Sequence, residues 1–244
     1  MNRKVFVAGA SGTIGRRLCR LLVQDGWSVV GTTRSSKKTA LLRELGVEPA
    51  VVDVFDETLL LDLVAKAQPD IVVHQLTDLP PALDPAQMAD ALPRNARLRE
   101  IGTRNLVAAA TAAGVKRMVA QSLGFVYAPG PMPYREEAPL LLDDPAFGET
   151  VRAVASLERQ VLAAPFPGIV LRYGKLYGPG TGFDSPPSGA PLHVDDAADA
   201  ARRALTRGAP GVYNIAEEDG MVCSRKAAEA LGWRPGFRLD EIKR

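Results

Sequence analysis

An α/β fold with a doubly wound parallel sheet of the Rossmann type, helices on both faces, is predicted from three observations. Strand-like and helical runs alternate along nearly all of the 244 residues. The first strand-like run, Val5-Phe6-Val7-Ala8, is continuously apolar, as a strand buried on both faces must be. It enters the turn Gly9-x-x-Gly12-x-x-Gly15, after which Ile14, Leu18, Leu21 and Leu22 recur at helical spacing. In such a turn one glycine lets the chain reverse, one lets backbone approach a pyrophosphate and one packs helix on strand. The helix start then aims unpaired N–H groups and a positive dipole end at the phosphates.

Taken in order, strands are predicted at Lys4–Ala8, Ser28–Thr32, Glu48–Val52, Ile71–His74, Lys116–Gln121, Gly168–Tyr173 and Gly211–Ile215. Helices are predicted at Thr13–Gln24, Ala40–Leu45, Thr58–Ala67, Arg94–Ala113, Glu149–Ala163 and Ala197–Thr206. Alternation of this kind implies right-handed crossovers and a ligand site beyond the carboxyl ends of the strands. The length suits one domain over residues 1–244, with 128–145 and 174–244 supplying loops and a reduced C-terminal substrate cap. Residues Ala128–Pro145, with five prolines, read as a long loop over the mouth of the site, and Pro179–Pro191 as a second loop.

Net charge is +2, with 46% hydrophobic and 24% charged residues, so nothing favours nucleic acid or an acidic membrane as partner. Met1 leads directly into a strand and no apolar run is long enough to span a bilayer, so a cytoplasmic setting is expected. Cys19 and Cys223 lack metal-ligand spacing, and no metal is expected; Cys19 reads as a small apolar filler.

After the second strand a carboxylate would accept the ribose hydroxyls of NAD. This chain has Thr32-Thr33-Arg34-Ser35-Ser36 there, and an arginine among hydroxyls suits the 2′-phosphate of NADP, so NADP is expected over NAD. Arg16 offers a second positive charge. Asp53 has two readings, acceptor for the adenine amino group or helix cap. The residues expected to line the cofactor are Gly9, Ser11, Gly12, Thr13, Ile14, Gly15 and Arg16, then Thr33, Arg34, Asp53, Val54, His74, Gln75 and Ser122.

Gly9-x-x-Gly12-x-x-Gly15, Asp53, Gly102-Thr103-Arg104-Asn105-Leu106, Gly114-Val115-Lys116-Arg117 and Phe125-Val126-Tyr127 continue into Leu171-Arg172-Tyr173-Gly174-Lys175-Leu176-Tyr177-Gly178-Pro179-Gly180. His193-Val194-Asp195-Asp196 and Gly211-Val212-Tyr213-Asn214-Ile215 follow, and Leu231-Gly232-Trp233-Arg234-Pro235 looks like the family's closing segment. Together these resemble the short-chain dehydrogenase/reductase superfamily, in its extended and atypical branches of NAD(P)-dependent epimerases, dehydratases and reductases. The resemblance implies Tyr-x-x-x-Lys on a helix, with glutamate four residues later. Anchored on Glu158, those places hold Thr150 and Val154, and the usual catalytic hydroxyl aligns with Leu123, one place after Ser122. Threonine is too weak an acid to replace the phenol, and valine supplies neither charge nor donor. Candidate catalytic residues are therefore Tyr127, Lys175, Ser122 and His193. Asp195 or Asp196 reads as a helix N-cap.

The interval Thr181–Leu192 is short for a substrate-binding segment, which implies a shallow site and a small substrate rather than a bulky nucleotide sugar. The expected function is an NADP-dependent oxidoreductase acting on a small carbonyl, sugar-like or enone substrate. A non-catalytic NADP(H) redox sensor, or a non-redox epimerase, dehydratase or isomerase, are the alternatives. Relatives dimerise through two long helices, and by that analogy the predicted Arg94–Ala113 and Glu149–Ala163 helices would form a homodimer.

Overall fold

The computed structural model describes residues 3–239. Seven parallel strands form one sheet: β1 (Lys4–Ala8), β2 (Ser28–Thr33), β3 (Glu48–Val51), β4 (Ile71–His74), β5 (Arg117–Leu123), β6 (Gly168–Tyr173) and, after two short strands, β9 (Gly211–Ile215). Their spatial order is β3-β2-β1-β4-β5-β6-β9, so the order reverses between β1 and β4. A crevice for ligands opens at such a reversal, beyond the strand ends.

Side-chain alternation along β1 shows why helices must cover both faces. Val5 and Val7 join one core with α1 (Thr13–Gln24), α2 (Thr39–Glu44), α7 (Val194–Ala204) and α8 (Arg225–Leu231). Phe6 and Ala8 join the other, with α3 (Glu57–Ala67), α5 (Thr103–Ala112) and α6 (Gly148–Leu162). Ala197, Ala198, Ala200, Ala201 and Ala204 of α7 are fully buried, and their small side chains seat this helix beside α1. Cys19 is a buried core residue of α1, its thiol pushed up to about 12 by burial.

Several expected boundaries move. The predicted helix Arg94–Ala113 is three pieces: α4 (Pro85–Arg97), a π turn over Leu98–Gly102, and α5. Asp84 caps α4 by accepting from Ala86 N at 3.0 Å, and Pro85 needs no donor in the first turn, so the helix starts earlier than the expected Arg94. α7 starts at Val194 rather than Ala197 because His193, not Asp195 or Asp196, is its N-cap; His193 Nδ1 accepts from Asp195 N at 3.2 Å. The loop Pro179–Pro191 ends in β8 (Pro191–His193), which pairs in parallel with β7 (Lys175–Tyr177). Three-residue strands carry too little alternation to be read from sequence. Met1, expected to lead directly into the first strand, lies outside the described residues. Among the described residues no helix is long and apolar enough to cross a membrane.

Candidate functional site

The turn between β1 and α1 is shaped by glycines with different tasks. Gly9 has φ +89°, and a Cβ there would lie 2.5 Å from the Gln75 carbonyl oxygen. A Cβ at Gly15 would collide with the Gly9 carbonyl and lie 2.9 Å from Ala10 Cα, so helix and turn touch backbone to backbone. Gly12 is open instead: a Cβ would meet only the Gly9 carbonyl oxygen, at 3.2 Å. α1 carries no side-chain cap and no acidic residue in its first turn. Arg16 N is the first amide to bond back, to Gly12 O at 3.0 Å, so the N–H groups of Thr13, Ile14 and Gly15 face the crevice without an acceptor among the described residues. This cradle fits a pyrophosphate.

Hydroxyls brace the cradle. Thr32 Oγ1 accepts from Gly9 N at 3.0 Å, and Ser11 Oγ donates to Thr33 Oγ1 at 3.1 Å. Thr13 Oγ1 donates to Gly180 O at 3.0 Å. Arg17, which the sequence did not single out, ties α1 to Pro179 O at 2.7 Å and to Asp195 Oδ1 at 2.6 Å. Arg16 stands beside them with its Nε buried and unpartnered.

On the β2 side Arg34 is not a free cation. Its Nη2 donates to Asp78 Oδ1 at 2.7 Å, and Arg94 reaches the other oxygen at 3.3 Å. The hydrogen bond with Arg34 holds Asp78 below the usual carboxylate range and raises Arg34 in turn. Asp53 is exposed and its Oδ1 accepts from Phe55 N at 3.0 Å; the helix cap is Asp56, which accepts from Leu59 N. Val54 is buried, and its carbonyl accepts from Asn105 Nδ2 at 3.0 Å.

At the end of β4, His74 is fully buried rather than presented to the crevice. Its Nδ1 accepts from Leu76 N at 3.3 Å, so Nε2 carries the proton and donates to Thr103 Oγ1 at 3.0 Å. Burial, with Arg99 nearby, pushes its pKa down to about 4 and keeps it neutral. Gln75 donates to Tyr173 OH at 3.2 Å and leaves its Oε1 unpartnered.

The expected catalytic residues are dispersed. Ser122 Oγ donates to Glu158 Oε1 at 2.6 Å, and Glu158 takes both Nε and Nη2 of Arg172, at 2.8 and 2.7 Å. Arg172 Nη1 donates to Tyr127 OH at 3.0 Å, and Tyr127 donates to Asn214 Oδ1 at 2.5 Å. Burial raises the Tyr127 phenol. Ser122 and Tyr127 are thus members of one buried network joining β5, α6, β6 and β9. The loop Ala128–Pro145 closes it, since Glu136 accepts from Asn214 N at 2.8 Å and Tyr134 stacks on Tyr127 at 5.1 Å. That segment staples β9 rather than hanging over a mouth.

At the positions where the resemblance implies a hydroxyl, a tyrosine and a lysine, the chain has Leu123, Thr150 and Val154. Val154 is fully buried in a cluster with Val126 and Val151, against which Leu123 packs, and Thr150 is buried nearby on α6. Lys175 is half-buried and donates to Ser188 O at 2.9 Å. The ring of His193 stands edge-on to Tyr177 at 5.1 Å and against Gly178, and burial, then the Arg238 charge, lowers its pKa. Tyr177 donates to Glu217 Oε1 at 2.6 Å and is pushed up to about 12 by burial and that bond. Asp78, Glu136, Asn214 and Arg99 were missed. Asn214 stood in a recognised motif, but nothing local marked its partners.

A model of the NAD dependent epimerase/dehydratase family matches residues 5–190. A Streptomyces relative, 3-diazoavenalumate denitrifying reductase, is 39% identical over 256 aligned positions, covering 96% of this chain and 80% of its own length. A ketoreductase of Stigmatella aurantiaca acting on 4-hydroxy-2-methyl-3-oxo-4-farnesyl-3,4-dihydroquinoline-1-oxide is 31% identical over 179 residues; 72% of this chain is covered and about half, 51%, of that relative. Among solved structures, UDP-glucose 4-epimerase of Thermotoga maritima with UDP-glucose superposes with TM-score 0.79 at 20% identity, covering 98% of this chain and 95% of that one. UDP-glucuronic acid 4-epimerase of Bacillus cereus, with UDP-glucuronic acid and NAD, gives 0.77 at 17% identity, over 98% and 96%. At those identities the structures speak to the fold alone. From the matched model and the Streptomyces relative together, the chain belongs to the NAD dependent epimerase/dehydratase family.

Proposed function

We propose that this chain is a nicotinamide-dependent reductase, preferring NADP(H), that serves a small electrophile needing no acid from the protein. One observation carries the reading: an open dinucleotide cradle at β1–α1, in a chain whose places for the hydroxyl, tyrosine and lysine that the resemblance implies hold Leu123, Thr150 and Val154, the last two buried. The cofactor, when bound, supplies a hydride. The residues that would hold it are Gly9, Gly12 and the N–H groups of Thr13, Ile14 and Gly15 at the pyrophosphate, with Arg34 at a 2′-phosphate. Asp78 keeps Arg34 extended towards that position, and a dianionic phosphate would compete for the guanidinium.

A carbonyl that accepts hydride becomes an alkoxide and needs a proton. Tyr127 is locked in its network, and Tyr173 is fully buried, raised by burial, and donates to Ala197 O at 3.1 Å. An aryldiazonium group needs no acid. Hydride replaces N2 at carbon, the two electrons come from the reduced nicotinamide, N2 leaves, and no proton is consumed. The name of the 39% identical relative, a denitrifying reductase of a diazo compound, supports this substrate class.

The test has two stages. Titration with NADPH and NADH comes first, and Arg34→Ala is expected to weaken NADPH by about 10- to 100-fold and NADH by less than about two-fold. Equal losses would remove the NADP preference. NADPH consumption above the protein-free rate is then followed with a carboxylate-bearing benzenediazonium and with a carbonyl and enone panel. Turnover of the diazonium with N2 release is the expected result. Turnover of carbonyls alone would make it a ketoreductase, and binding without any consumption would make it an NADP(H) sensor.

A further inference from the structure

Two arginines are buried among the described residues, Arg172 and Arg99, and they are treated oppositely. Arg172 is saturated by Glu158, Tyr127 and the Glu136 carbonyl. Arg99 is 7% exposed, pairs with no carboxylate among the described residues, and has its Nη1 buried without a hydrogen-bond partner. Burial alone pushes it down to about 10, with no nearby carboxylate opposing. It therefore remains a cation at neutral pH, and an uncompensated buried charge costs on the order of several kcal/mol.

Its place in the fold explains what could compensate it. α5 returns antiparallel to the strands, and its Thr103 meets His74 at the carboxyl end of β4. Arg99 lies about one turn before Thr103, roughly 5.4 Å further beyond the strand end. Helical side chains lean towards the helix N-terminus, here towards the crevice. The residue sits in the π turn Leu98–Gly102, and α6 packs on the same turn, with Gln160 Nε2 donating to Glu100 O at 3.2 Å. The π turn that carries Arg99 thus lies against α6, and the Arg99 charge reaches His74 at the end of β4. The pyrophosphate cradle belongs to α1, on the opposite face of the sheet.

We propose that Arg99 is the substrate-binding group of this crevice and takes a carboxylate in a paired, charge-assisted contact. The fork of guanidinium donors matches a carboxylate, which would terminate the unsaturated or aromatic body of the small electrophile proposed above. The assignment rests on the crevice being the substrate site of the reductase proposed above.

The test compares cinnamate, cinnamamide and phenyl phosphate by calorimetric titration of the protein with and without saturating NADPH. Cinnamate is expected to bind wild type about ten-fold or more tightly than cinnamamide. Arg99→Met erases that difference, Arg99→Lys keeps part of it, and NADPH affinity changes by no more than about two-fold in either variant. The unliganded Arg99→Met protein is expected to melt at or above the wild-type temperature, because an unpaired buried charge is gone. Equal binding of acid and amide to wild type, or a preference surviving in Arg99→Met, would overturn the assignment. Tighter binding of phenyl phosphate would replace the carboxylate by a phosphate, and a fall in melting temperature would make Arg99 structural. Failure of NADPH to bind would strike the reductase reading, while the acid–amide comparison without cofactor still decides Arg99.

Discussion

At the β1–α1 turn the N–H groups of Thr13, Ile14 and Gly15 face the crevice, and neither they nor Arg16 Nε beside them have an acceptor among the described residues. Across the crevice, Ser122, Glu158, Arg172, Tyr127 and Asn214 spend their hydrogen bonds on one another, and Val154 and Leu123 bring no polar group. The first region keeps polar capacity in reserve for a ligand; the second uses it to fix β5, α6, β6 and β9. Motif residues therefore divide by unsatisfied valence rather than by position in the motif. Arg99, in the π turn before α5, keeps such reserve too, its Nη1 buried without a partner among the described residues.

The sharpest break is Glu158→Leu, which leaves Arg172 buried without its carboxylate. It is expected to lose about 3–5 kcal/mol in urea unfolding, since an unpaired buried charge is the dominant cost. If the loss is under about 1 kcal/mol, the network is not what holds the second region together.

Next is the pH dependence carried by His74. Its folded pKa, about 4, lies below the 6.5 of the free group. The unfolded chain therefore takes up a proton first as pH falls. The stabilisation is complete above pH 6.5, declines between there and about 4, and is worth up to about 3 kcal/mol. His74→Gln should flatten that part of the wild-type profile, measured as urea midpoints across the range. An unchanged slope would place the histidine in solvent.

In the first region Gly15→Ala drives a methyl into the Gly9 carbonyl. About 2 kcal/mol of stability is expected to be lost through overpacking. NADPH affinity should fall by about ten-fold or more in fluorescence titration. Retained affinity would mean that the cradle is not where the dinucleotide sits. The smallest effect is expected from Tyr127→Phe, which removes one hydroxyl from the network for about 1 kcal/mol. Turnover should stay at the wild-type level, whereas a loss of turnover beyond the stability effect would restore Tyr127 as a proton donor.

Legibility in the sequence followed the range of the interactions. β1, β4, β6, β9 and α1 have the boundaries expected, because apolar runs and helical periodicity are local. The glycine turn was legible for the same reason: each steric requirement lies within the turn or against the next strand. The helix expected over residues 94–113 begins nine residues earlier, at Pro85, and is interrupted by the π turn Leu98–Gly102. Tyr127 and Ser122 were read as catalytic because their neighbours in sequence matched a motif. Their partners, at 87 and 36 residues' separation, were invisible there.

By itself the sequence determined the alternation of strand and helix, the parallel sheet and the phosphate-binding turn, all set by patterns within a few residues. Only the tertiary structure decided which polar groups are spent and which stay free: Arg34 held by Asp78, Arg172 by Glu158, His74 sealed beneath the crevice, and Arg99 without a counter-ion among the described residues. The physical reason is that the worth of a buried charge or donor depends on the partner brought to it by folding, and that partner lies far along the chain.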